Sequence, residues 1–324
     1  MKAVIAAKYG PPEVLQLREV AKPTPKTNEV LVKVHASTVT AGDIRVRSFT
    51  VPRSFWLPAR LTLGLTKPRK AIPGMVIAGD VEAVGSTVTR FKPGDQVYAY
   101  DLTHLSAYAE YACVPEASAL ALKPATVTYE EAAAIPFGAV TALHFLKKGN
   151  IRRGQRVLIY GASGSVGTAA VQLAKHFGAE VTAVCSTTNV ELVQSLGADR
   201  VINYTKEDFA QRGDIYDIIF DIVGKSSLAD CLRSLANGGT YLQTVAGPSQ
   251  LIQMLWASKR SGKTLIGGTA TPTMAALTEI TDLVDAGKLK PVIDRCYPLE
   301  YTVEAHRYVD QGRKKGNVII TLEV

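Results

Sequence analysis

Leu158-Ile159-Tyr160-Gly161-Ala162-Ser163-Gly164-Ser165-Val166-Gly167 decides the fold. The first three residues read as a short buried strand. The glycines turn the chain at once into a helix, predicted from Ser165 to Phe177, with Val166, Ala170, Leu173 and Ala174 apolar. In such a turn Gly164 lets the backbone approach a pyrophosphate, Gly167 lets the helix pack tightly on the sheet, and free amides at the helix start face the phosphates. Ala162 stands where the first glycine of GxGxxG belongs, so the pattern is AxGxxG. Ala162, Ser163, Gly164, Ser165, Val166 and Gly167 are therefore candidate dinucleotide-binding residues. The competing reading is a glycine-rich turn that binds nothing.

The residues downstream of the turn favour binding. Further strands are predicted at Val181 to Cys185, Val201-Ile202, Asp217 to Phe220 and Thr240 to Thr244, with a short helix from Val190 to Leu196. Strand and helix alternating at this spacing are the signature of a doubly wound parallel sheet. Upstream the character differs. Asn28 to Ala36, Ile77 to Val84, the turn and strand of Phe91 to Tyr98, and Ala107 to Val114 all read as strands, with no long helical pattern between them. That is a mostly antiparallel, barrel-like unit. The character changes near Tyr129, where Thr128 is a plausible helix cap. The last apolar strand, Asn317 to Leu322, is expected to return to the first domain.

At the end of the second strand a dinucleotide fold that prefers NAD carries Asp or Glu. Here the residues are Cys185-Ser186-Thr187-Thr188-Asn189, with no carboxylate to repel a 2′-phosphate. Ser186 and Thr187 can donate to phosphate, and Lys206 or Arg200 can approach from the next unit. NADPH is expected over NADH, although Ser186 to Thr188 also serve as a plain helix cap.

The chain has 324 residues, of which 47% are hydrophobic and 20% charged, which excludes disorder and suits two domains. It has no run of eighteen apolar residues, and its N-terminus reads as a strand. Cys113, Cys185, Cys231 and Cys296 stand alone, which fits a reducing, cytoplasmic setting and no zinc ribbon. The net charge of +8 does not mark a nucleic-acid face, because seven basic side chains and no acid fall within residues 44–79.

These segments together resemble the medium-chain dehydrogenase/reductase superfamily, in its zinc-independent quinone oxidoreductase and enoyl reductase branch, the relatives of zeta-crystallin. Pro73 to Gly85, Phe91 to Val97, Ala107 to Tyr111, Glu131 to Pro136, Gly161 to Gly167 and Leu196 to Asp199 carry the likeness over essentially the whole chain. It implies a GroES-like catalytic domain over residues 1–122, completed by 290–324, and a Rossmann domain over 123–289. It also implies a homodimer. Zinc-dependent members place ligands at the positions of Thr40 and Met75 and near Phe137 to Thr141, where no metal ligand stands here. Without a Lewis acid, an electron-poor acceptor is the better substrate. A quinone or an α,β-unsaturated carbonyl takes hydride directly, and the protein's work is orientation and exclusion of water. Zinc-independent alcohol or aldehyde chemistry and a non-enzymatic NADPH-binding role are the alternatives.

By the same resemblance Thr40, Asp43 and Thr141 are placed at the nicotinamide, and Asp43 has a structural reading beside the catalytic one. Tyr204 is placed at the adenine or 2′-phosphate, and Gly224 near the cofactor. The turns holding Val245 and Gly268 are placed at the carboxamide, and Asn317 where relatives often have lysine. The segment from Arg45 to Lys70 mixes aromatics with basic residues. It is open to three readings: a lid over an acceptor site that favours anions, a membrane contact, or ordinary packing.

Overall fold

The computed structural model describes residues 1–51, 56–102, 106–244 and 246–322. The chain divides into two compact units: Met1–Phe137, Pro272–Ala286 and Pro291–Val324 form one, and Gly138–Thr271 with Gly287–Lys290 form the other.

The first unit opens with β1 (Lys2–Ala6) and β2 (Leu15–Glu19), an antiparallel pair. β3 (Glu29–Thr38) comes next, and its Val30, Val32 and Val34 are fully buried, as a period of two requires. After it come α1 (Ala41–Ser48), α2 (Trp56–Leu63), β4 (Val76–Val84), β5 (Gln96–Tyr100), β6 (Tyr111–Pro115), β7 (Ala119–Leu122) and α3 (Tyr129–Ala134). The Thr128 cap forms with Glu131 as a reciprocal capping box.

The second unit takes in most of α4 (Pro136–Lys148), then β8 (Arg156–Tyr160), α5 (Ser165–His176), β9 (Glu180–Cys185), α6 (Val190–Ser195) and β10 (Arg200–Asn203). β11 (Tyr216–Asp221), α7 (Leu228–Arg233), β12 (Leu235–Thr244), α8 (Pro248–Ser261) and β13 (Thr264–Gly268) complete it. The chain then rejoins the first unit through α9 (Met274–Asp285), β14 (Ile293–Pro298), α10 (Thr302–Asp310) and β15 (Asn317–Thr321).

The second unit's sheet runs β10-β9-β8-β11-β12-β13, parallel throughout, with the strand order reversing between β8 and β11. The first unit's large sheet runs β14-β15-β3-β4-β5-β7, with β6 also on β3, and every pair but β14–β15 is antiparallel. The last strand does return, Ile319 to Thr321 pairing with Ala36 to Thr38. The expected plan, a Rossmann sheet and a mostly antiparallel GroES-like sheet, is the observed one.

Three local features add to or correct the expectations. Between the strands, where no long helical pattern is expected, residues 41–48 and 56–63 form two short helices. The strand expected from Ala107 begins only at Tyr111, because the Ala107 and Tyr108 amides donate to the Gly74 and Pro73 carbonyls and Tyr108 turns wholly into the core. Gly267 and Gly268 close β13 and precede the turn. Val245 and residues 52–55 lie outside the described residues.

Candidate active site

The glycine-rich turn leaves β8 and enters α5 as the sequence dictates. The Gly161 and Ala162 amides both donate to the Val184 carbonyl, at 3.1 and 3.0 Å, which ties the turn to the end of β9. A Cβ at Gly167 would lie 2.2 Å from the Gly161 carbonyl oxygen, so α5 can approach the turn this closely only with glycine there. Gly164 differs: a Cβ there would meet nothing nearer than 3.9 Å, and its φ of −83° suits any residue. The protein itself therefore leaves open space over Gly164, in front of α5 amides that have no intrahelical acceptor. That open cradle at a helix N-terminus fits a pyrophosphate.

Neighbouring side chains extend the cradle. Asn189 Nδ2 donates to Ser163 Oγ at 2.9 Å and to Ser186 Oγ at 3.2 Å, joining the loop after β9 to the turn. Thr187 Oγ1 takes the Asn203 amide at 2.8 Å and meets Thr205 Oγ1 at 2.9 Å. Tyr204 is exposed and lines a cavity of about 580 Å³ with Tyr160, Lys206, Lys225 and Ser227. Three acids also line it. Glu207 is paired with Arg212 and Asp230 with Arg233, while Asp208 caps the Ala210 amide. Lys206 and Lys225 have no ion-pair partner among the described residues, which leaves the cavity two free cations.

Sequence reasoning missed Asp221 at the end of β11. It is fully buried and accepts from the Val223 and Gly224 amides at 3.0 and 2.7 Å, from Ser226 and from Tyr241. This one carboxylate shapes the turn in which Gly224 takes φ +72°. Thr141 is buried on α4, one turn beyond Gly138. At Gly138, α4 touches the start of α5, since a Cβ there would fall 2.4 Å from the Ser165 carbonyl oxygen. Gly268 has φ +137° at the edge of the sheet. Asn317, in the first unit, is buried and donates from Nδ2 to the Val292 carbonyl at 3.1 Å.

In the first unit Thr40 and Asp43 form a capping box at the start of α1. Asp43 Oδ2 accepts the Thr40 amide at 2.8 Å and the Thr40 hydroxyl at 2.6 Å, and Thr40 Oγ1 accepts the Asp43 amide at 3.1 Å. The Thr40 hydroxyl is thus consumed by the cap, which is the structural role weighed for Asp43. Asp43 Oδ1 accepts no hydrogen bond of good geometry. Burial pushes its carboxyl up to about 6, against opposition from Thr40 and the nearby Tyr108 hydroxyl. Met75 packs on the first turn of α1, beside Gly42 and Thr40. Asp43 and Met75 line a cavity of about 390 Å³ whose other walls include Val46, Leu63, Ile72 and Leu102.

A charged network underlies this cavity. Arg47 is almost wholly buried, and its Nη2 donates to both Asp310 oxygens at 2.8 and 3.1 Å. Its Nη1 lies 3.3 Å from His306 Nδ1. A guanidinium can only donate, so Nδ1 is the acceptor. Burial and Arg47 push His306 down to about 3, so the ring is neutral and carries its proton on Nε2. Nε2 then donates to the Tyr108 hydroxyl at 3.3 Å. The line Arg47, His306, Tyr108 ends beside Asp43.

The raised Asp43 value has a thermodynamic consequence of definite sign. Proton uptake by this carboxyl favours folding below the ordinary aspartate value, and that contribution is lost as pH rises to about 6. The shift corresponds to about 3 kcal/mol. Denaturant midpoints between pH 4 and 7 should therefore show wild type losing stability relative to Asp43→Asn as pH rises. A constant difference would show that Asp43 titrates normally.

Among the described residues no three His, Cys, Asp or Glu side chains gather as metal ligands, and no helix is long and apolar enough to cross a membrane. Residues 26–124 match the alcohol dehydrogenase GroES-like domain, and residues 196–320 match the zinc-binding dehydrogenase family. Over 99% of its length the chain is 34% identical to 2-methylene-furan-3-one reductase of Solanum lycopersicum, covering 79% of that protein. It is 32% identical to quinone oxidoreductase of Homo sapiens, over 99% of this chain and 98% of that one. The solved quinone oxidoreductase of Coxiella burnetii superposes with a TM-score of 0.89 at 27% identity, covering 100% of this chain and 99% of the other. The chain belongs to the medium-chain dehydrogenase/reductase superfamily, in its zinc-independent quinone oxidoreductase branch. It is an NAD(P)H-dependent oxidoreductase of the quinone- and enone-reducing kind.

Proposed function

We propose that this enzyme uses NADPH to reduce a 1,4-quinone or an α,β-unsaturated carbonyl held in the first unit's cavity. The observation that carries the reading is the make-up of that cavity. Its walls are largely apolar, a methionine sits where zinc-dependent members are expected to place a ligand, and among the described residues Asp43 is its one lining carboxyl. A bound nicotinamide nucleotide supplies hydride. The chain's own residues exclude water, orient the acceptor and hold the proton. The Asp43 carboxyl, raised to about 6, is a proton source in reach of neutral pH. Thr40 fixes the Asp43 carboxyl through the cap, and Thr141 is assigned to the nicotinamide side of the second unit. Quinones and enones should be turned over and simple secondary alcohols hardly at all, as read by nicotinamide absorbance. Robust alcohol oxidation without quinone or enone turnover would reject the reading.

NADPH preference rests on Lys206 and Lys225 in the Tyr204 cavity and on the missing carboxylate after β9. Fluorescence titration should give a tighter constant for NADPH than for NADH. Ser186→Asp should weaken NADPH about tenfold through charge repulsion and improve the relative standing of NADH. Tighter NADH binding by wild type would overturn the preference. The four unbridged cysteines suit a cytoplasmic setting. A homodimer fits the β13 edge and the exposed Ile252, Leu255 and Trp256 of α8, and light scattering would report twice the chain mass of 34.7 kDa.

A further inference from the structure

Much of the positive charge of residues 45–70 is engaged or held away from the cavity. Arg47 is spent on Asp310 and His306. Arg60 lies over the Phe49 ring at 3.8 Å, with Tyr9 and Trp56 beside it, and donates to the Leu65 carbonyl at 2.6 Å. It pins the segment together. Arg45 and Lys67 are not among the residues lining the cavity. Arg69 and Lys70 are: both are exposed, both line the cavity, and neither has an ion-pair partner among the described residues. Of the two carboxylates whose charge reaches Lys70, Asp101 and Glu29, Asp101 is buried and takes the Ser118 hydroxyl at 2.7 Å. Among the described residues the cavity therefore has a largely apolar lining and, besides the engaged Arg47, two cations, Arg69 and Lys70.

We infer that the acceptor is an amphiphile: a conjugated carbonyl on an apolar body whose far end carries a carboxylate held by Arg69 and Lys70. The inference rests on the function proposed above and names the substrate class of that same cavity. The reaction is unchanged. Hydride adds to the β-carbon as the carbon–carbon π bond breaks, the α-carbon takes the proton, and the tail carboxylate is untouched. Two cations within about 6 Å of an anion in a half-solvated setting favour it by roughly tenfold, and at 1 M salt, with a Debye length of about 3 Å, most of that advantage disappears.

The test compares kcat/KM for two enones of equal chain length, one ending in a free carboxylate and one in its methyl ester. Wild type should favour the carboxylate about tenfold at low salt, through KM, and lose the preference at 1 M salt. Arg69→Glu/Lys70→Glu should invert the ratio, while Lys67→Glu, on the same segment but away from the cavity lining, should leave the ratio as in wild type. A phosphate-ended analogue separates general anion recognition from carboxylate recognition. Preference for phosphate over carboxylate would overturn the tail assigned here. Equal turnover of acid and ester would overturn the inference and leave the proposed function standing. Turnover of neither, with NADPH bound, would count against the proposed function itself. Co-sedimentation with anionic phospholipid vesicles that is lost in the double variant, without any ratio among soluble enones, would assign the two residues to a membrane surface and overturn the inference.

Discussion

Gly164→Val should lose about 100-fold in NADPH affinity while its melting temperature stays within about 2 °C of wild type. The separation of the two effects comes from the geometry. The backbone at this residue, φ −83° and ψ −179°, is one that valine adopts readily. A Cβ there meets no protein atom within 3.9 Å. Whatever the branched side chain displaces is therefore the ligand, and filling the space of a pyrophosphate costs about 2.7 kcal/mol if the hundredfold holds. Gly167→Ala is the contrasting change. Its Cβ would sit 2.2 Å from a backbone oxygen that cannot retreat without moving β8, so folding should suffer before binding can be measured. Isothermal titration beside thermal melts distinguishes the two. Gly164→Val binding within twofold of wild type would mean that phosphate sits elsewhere.

Arg47→Met should do the reverse, with stability lost and cofactor affinity kept. The guanidinium is almost wholly buried between α1 and α10 and serves Asp310 and His306. Its removal leaves a half-buried carboxylate without its partner and a buried imidazole nitrogen without a donor. Losing the charge-assisted hydrogen bonds to Asp310 and the one to buried His306 together costs about 3 kcal/mol. For a chain of this length that lowers the melting temperature by about 4–5 °C. NADPH affinity should hold within twofold, because the glycine turn and the Tyr204 cavity belong to the other unit. An unchanged melting temperature would show that the Arg47 pair contributes nothing net.

The parts of this site that can be read from sequence are those whose physics is local. The glycine turn declares itself because strand, turn and helix succeed one another within ten residues, and the missing carboxylate after β9 is visible for the same reason. α1 is legible too, for Thr40-x-x-Asp43 carries the same capping signature as Thr128 and Glu131. It is easily passed over because the helix is short and scarcely amphipathic. The remainder depends on distant residues. Asp43 becomes a raised carboxyl only through burial, the tyrosine hydroxyl that opposes the rise lies 65 positions along the chain, and Arg47 meets His306 across 259 positions. Lys225 joins Lys206 at one cavity because the connections that follow β10 and β11 leave the same carboxyl end of the parallel sheet. Such juxtapositions leave no periodic trace.

Transfer of deuterium from NADPH labelled at C4 to an enone tests the central claim most directly. Proton NMR of the product should show one deuterium at the β-carbon and a solvent-derived hydrogen at the α-carbon, with the carbonyl intact. Deuterium at the carbonyl carbon, giving an allylic alcohol, or no transfer with NADPH bound, would contradict the account.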